Sequence, residues 1–160
     1  MQPPMNLKGR SVAELAKIFA MGKCPMASRL LGPQRELSQW RVDMLTGPIP
    51  NLGGAPFHHT KQFYWSEANN RFTGCNLFFG GRVSWGAFTL DDSSYMDVVD
   101  RQGVLFFDYN QPRNSDLTRG KIADHVRTTD DFNVLIGEFY YFQGARIFGP
   151  YYFSLTRMAK

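Results

Sequence analysis

Histidine, carboxylate and phenol side chains carry most proton-transfer chemistry in a chain without a cofactor motif. They are sparse here. The sequence holds three histidines, two of them adjacent in TGPIPNLGGAPFHH (46–59) and the third in KIADHVR (121–127). If 57–66 is a strand, successive side chains point to opposite faces, so His58 and His59 cannot converge on one metal ion. Phe57, His59, Lys61, Phe63 and Trp65 share one face, and His58, Thr60, Gln62 and Tyr64 share the other. Lysine is rarely buried, so the Lys61 face is expected to point to solvent, which turns His58 and Tyr64 inward. The same rule applied to 121–127 sends Lys121, His125 and Arg127 outward and Asp124 inward beside Ile122 and Val126. A carboxylate in apolar surroundings costs several kcal/mol unless it is paired, or else its pKa rises. His58, Asp124 and Tyr64 are therefore the candidate acid–base groups. The structural alternatives are a hydrogen-bonded His58 at a loop end and a solvated Asp124 on an edge strand. Asp108 reads as a turn or capping residue, and Glu138 as one end of a strand-end salt bridge.

The elements that must position these groups are one helix followed by strands. In SVAELAKIF, Ser11 and Glu14 form the capping-box pattern. Val12, Leu15, Ala16, Ile18 and Phe19 recur at helical spacing, and Gly22 supplies a stop. PMASRLLG (25–32) reads as a second short helical turn. From Trp40 onward, aromatic and β-branched runs alternate with turn residues, giving candidate strands at 40–46, 57–66, 71–79, 82–90, 95–99, 103–109, 120–128, 133–142 and 146–157. The absence of helical runs between them points to an antiparallel meander. Gly80-Gly81 is a two-residue hairpin loop that sets Phe78 opposite Val83 and Asn76 opposite Trp85. A second hairpin turns at Gln143-Gly144, and Gly149-Pro150 marks a bulge or bend. Prolines 48, 50 and 56 make 47–56 an irregular lid.

The composition is that of a globular chain: 43% hydrophobic, 20% charged and 15% aromatic residues over 160 positions. That length fits a single domain, 1–160, with a helical segment at 11–32. The net charge of +4 is spread singly along the chain, unlike a nucleic-acid or membrane patch. No apolar run reaches bilayer length and MQPPMNLKGR contains no signal-peptide core, so a cytoplasmic location is expected. Cys24 and Cys75 form no C-x-x-C motif and read as free thiols, though they could pair. No P-loop, G-x-G-x-x-G, G-x-S-x-G or H-E-x-x-H spacing occurs; no cofactor and no metal are expected, and a homodimer is left open.

Eight or nine meandering strands avoid exposed edges by closing into a barrel. In strand number, N-terminal helix and the closing YYFSLTR strand, the chain resembles the calycin-like barrels: lipocalins, fatty-acid-binding proteins and the fibrillin type. It departs from the lipocalin G-x-W signature, since Trp40 lies in SQWR. A cone-like α+β fold is the alternative. The resemblance implies a cavity and no particular ligand. The fold expected is thus mainly β, an antiparallel meander closed into an eight- to nine-stranded calycin-like barrel with an N-terminal helix. Two functions fit it. One is binding of a small apolar or amphipathic molecule against Phe78, Trp85, Phe106 and Tyr140, with Asn76 and Tyr64 orienting its polar end. The other is a cofactor-free isomerase, cyclase or lyase that uses His58, Asp124 and Tyr64 in the same cavity.

Overall fold

The computed structural model describes residues 5–47, 59–93, 95–97 and 100–159. Eight strands follow one another around a closed antiparallel barrel: β1 (Ser38–Met44), β2 (His59–Ser66), β3 (Arg71–Phe78), β4 (Val83–Asp91), β5 (Leu105–Asp108), β6 (Ile122–Thr128), β7 (Val134–Gln143) and β8 (Arg146–Arg157). Pairing of β8 with β1, from Trp40 opposite Arg157 to Met44 opposite Phe153, closes the ring. The expected lid lies outside the described residues from position 48 onward.

The described residues of the run at 95–99, which are 95–97, form no strand. They contribute the isolated bridge Met96–Gly103. Asp97 bends the chain instead: its side chain accepts from the Asp100 N–H and its carbonyl from the Arg101 N–H. A short polar side chain that bonds the backbone nearby competes with a strand ladder.

The hairpin registers follow the turn chemistry. Phe78 pairs with Val83 and Asn76 with Trp85, around glycines 80 and 81 at φ +67° and +89°. The last hairpin turns after Gln143, and the β7–β8 register shifts by one residue opposite Gly149-Pro150. Both cysteines are free.

One end of the barrel is plugged. Trp40, Phe63, Phe88, Phe107 and Phe153 fill the interior, each fully buried, and each stabilises the fold by ~1.5–3 kcal/mol relative to exposure. The 3-10 turn Ala27–Leu30 covers this end, and the Trp40 indole N–H donates to the Leu30 carbonyl at 3.0 Å. Helix α1 (Val12–Met21) starts at the Ser11–Glu14 capping box, with the Ser11 N–H 2.8 Å from the Glu14 carboxylate. It lies against the outer wall, where Leu15 and Phe19 pack on Val134, Ile136 and Tyr152. Val12, expected on the same face, stays exposed. No described helix is long and apolar enough to cross a membrane.

Candidate functional site

Strand β2 must place Phe63 and Trp65 in the core, and alternation carries Lys61 and His59 inward with them. Lys61 is only 3% exposed, a correction to the solvent-facing orientation expected for it. Burial is tolerated because the ammonium is fully partnered. Its three protons meet three acceptors: Asn76 Oδ1 at 2.6 Å, the Tyr109 hydroxyl at 2.6 Å and Asp124 Oδ2 at 3.0 Å. The Tyr109 hydroxyl in turn donates to Asp124 Oδ2 at 2.8 Å. The rings of Phe88, Phe107 and Phe153 lie 5.1, 5.7 and 5.9 Å from Nζ, adding cation–π attraction. Burial pushes the Lys61 pKa below the usual lysine range, against the opposing pull of Asp124. Burial, then the Asp124 charge, holds the Tyr109 proton on well above the usual phenol range.

Asn76 is aimed at this cluster by a bulge. The β3–β4 register slips between Cys75 and Asn76, leaving Gly86 as the extra residue at φ +65°. A Cβ there would sit 2.9 Å from Asn76 Nδ2, so glycine satisfies both the dihedral and the space. Asn76 Nδ2 donates to the Gly86 carbonyl at 3.3 Å, which leaves Oδ1 for Lys61.

Beyond the cluster, at the end opposite the plug, the barrel encloses a cavity of ≈ 190 Å³. Val42, Met44, Phe78, Trp85, Ile122 and Phe139 form its apolar wall, and His59, Lys61, Asn76, Tyr109 and Asp124 supply the polar groups. A second space of ≈ 300 Å³ adjoins it, sharing Met44 and Phe139 and reaching Phe148 and Tyr151. His59 stacks on Phe78 with ring centroids 4.9 Å apart. Burial, then the Lys61 charge, pushes its pKa down to about 3, so the imidazole is neutral at neutral pH.

Of the residues expected at the site, Asp124, Asn76, Phe78 and Trp85 line this cavity. His58 lies outside the described residues. Tyr64 faces outward, opposite to expectation, because Phe63 and Trp65 take the interior; its hydroxyl accepts from Arg113 at 3.2 Å. Phe106 and Tyr140 are also on the outer wall. Leu105 and Phe107 claim the inner face of β5, so Phe106 turns out and stacks on Tyr95 at 3.9 Å. Sequence reasoning missed Lys61, His59 and Tyr109 as interior groups. Two signals pointed to them: the paired aromatics at 63 and 65, and the glycine inside the β4 run.

A second buried polar cluster sits on the outer wall, on the other face of β6. His125 Nδ1 is 3.2 Å from Asp97 Oδ2, and the Tyr140 hydroxyl donates to Glu138 Oε2 at 2.7 Å. Burial, then its hydrogen bond to Asp97, raises the Glu138 pKa to about 8. Glu138 is thus no strand-end salt bridge; it is covered mid-strand. Beside it Arg127, expected in solvent, is fully buried. Its guanidinium forks onto both Asp100 oxygens at 2.5 and 2.7 Å, beneath the Phe19 ring of α1. Asp97, His125 and Glu138 offer ligand atoms within 4.8 Å of one another and are the described group spaced to hold a metal ion. They also hydrogen-bond within the cluster, which holds it together through protons.

Fold and site together define a closed eight-stranded antiparallel barrel with one helix on its wall and a polar cluster beneath an end cavity. No family model matches the chain, and neither the curated proteins nor the solved structures give a significant match.

Proposed function

We propose that the barrel is a cytoplasmic binding module that holds a small, predominantly apolar molecule in its end cavity, as the calycin-like barrels it resembles hold theirs. The observation that carries this proposal is the cavity's construction: a wall of aliphatic and aromatic side chains ending on one compact polar cluster. Binding sites for small molecules combine these two features, the apolar area giving affinity and a few placed polar groups giving orientation.

Acid–base catalysis in the same cavity is the second proposal, supported by the Lys61–Asp124–Tyr109 hydrogen-bond network. Binding is favoured because these groups are committed to one another. Each ammonium proton of Lys61 already has an acceptor, and Tyr109 holds its proton more tightly than a free phenol. A general acid or base must instead be poised to exchange a proton with its substrate.

Toluene, an apolar ring without a head group, tests the binding proposal. Ligand that binds only the folded state stabilises it by mass action, so toluene near its solubility limit is expected to raise the thermal midpoint of the protein. An unchanged midpoint across the accessible concentrations contradicts the proposal.

A further inference from the structure

We infer that the cavity selects uncharged ligands bearing a hydrogen-bond donor, such as an alcohol, and that Asp124 Oδ1 receives that donor. The inference rests on the binding proposal above and names the ligand class it takes.

The charge count of the wall comes first. Among the described lining residues Lys61 carries the one positive charge and Asp124 the one negative, 3.0 Å apart. His59 is neutral, and the other described lining groups are uncharged. A carboxylate entering this space finds the three Lys61 protons already taken and Asp124 beside them repelling it. An ammonium finds Asp124 already shared with Lys61, whose charge repels it in turn. Either ion loses its water without gaining an uncommitted counter-charge, the costliest form of burial. An uncharged ligand avoids that cost.

The hydrogen-bond count then fixes the head group. The donors of the cluster are occupied: Lys61 Nζ by three acceptors, the Tyr109 hydroxyl by Asp124, and the two protons of Asn76 Nδ2 by the Gly86 carbonyl and, at 3.4 Å, the Tyr109 hydroxyl. The acceptor capacity is not exhausted. Both bonds to Asp124 go to Oδ2, and Oδ1 receives none among the described residues. Asp124 is 2% exposed, yet it lines the cavity. A carboxylate oxygen at the wall of a cavity, with an open acceptor position, gains a charge-assisted bond from a ligand O–H. The neutral imidazole of His59, on the same cavity wall, carries one N–H, a donor to the hydroxyl oxygen in the tautomer that turns it toward the cavity.

Volume sizes the probe. An apolar cavity of about 150 Å³ accepts benzene, so ≈ 190 Å³ holds one ring with a one-carbon arm, and the adjoining ≈ 300 Å³ leaves room for a longer tail.

Four ligands that share one ring, titrated into the unmodified protein at pH 7 by NMR, separate these claims. Benzyl alcohol is expected to bind about tenfold tighter than toluene. Benzoate and benzylammonium are expected to bind at least tenfold weaker than benzyl alcohol. Benzoate or benzylammonium matching benzyl alcohol overturns the selection against charge. Benzyl alcohol binding no tighter than toluene overturns the donor contact while leaving the binding proposal standing. Failure of all four, toluene included, removes the binding proposal itself. Because the comparison uses one protein, it does not depend on whether a variant at Asp124 folds.

Discussion

Asp124 and His125 are consecutive in β6 yet belong to two different worlds. Asp124 points into the barrel and balances its charge with Lys61 across 3.0 Å. His125 points out and meets Asp97, which the Tyr140 hydroxyl links to Glu138. Both clusters are buried, and both obey the rule that buried polar groups must find partners. They satisfy it by different means. The inner cluster pairs opposite charges and borders an apolar cavity wall. The outer one brings two carboxyl groups together, and burial, then the hydrogen bond to Asp97, keeps a proton on Glu138 into the neutral range. A polar cluster closed on itself supports the fold; one that fronts a cavity with an acceptor to spare can also address a ligand.

This contrast can be broken most severely on the inside. Lys61→Met strands the Asp124 carboxylate in an apolar interior and is expected to cost ~3–5 kcal/mol in urea denaturation, whereas Lys61→Met combined with Asp124→Leu recovers most of that loss. Equal losses for the single and double variants would show that the pair is not what balances the interior.

A smaller effect sharpens the contrast from the outside. Glu138 has its pKa raised from 4.5 to about 8 in the folded protein. Its contribution to stability is complete below 4.5 and is lost as pH climbs through 8, because the folded state holds the proton more tightly than the unfolded state. Glu138→Gln imitates the protonated form. It is expected to match the parent near pH 5 and to exceed it by ~1–3 kcal/mol near pH 9. A gap that does not widen between those two values would mean that Glu138 is already ionised in the fold.

Periodicity made the barrel legible, but it left inside and outside undecided. Alternation correctly grouped the two faces of β2 and of β6. In β6, Ile122 and Val126 agreed with Asp124 about which face turned inward. In β2, one lysine was weighed against Phe63 and Trp65, and the aromatics prevailed, because β3, β6 and the residue that follows β5 supply partners that no local window contains. Asn76 is directly opposite Lys61 in the β2–β3 register, while Tyr109 and Asp124 arrive from farther along the chain. Phe106 and Tyr140 were misplaced for a related reason. The outer wall is itself covered by α1 and by residues such as Tyr95 and Val104, so bulky residues on it resemble core residues in sequence. The cavity was implied only through the resemblance, since its shape depends on how the plugged and open ends differ.

The central claim is that the space above Lys61, and not the outer cluster, receives a ligand. Intermolecular nuclear Overhauser contacts from bound toluene test it most directly. Contacts are expected to the methyl groups of Val42 and Ile122 and to the Phe78 ring, with none to Phe106 or Tyr140. Contacts confined to the outer wall, or a bound toluene that touches neither Val42 nor Ile122, would contradict it.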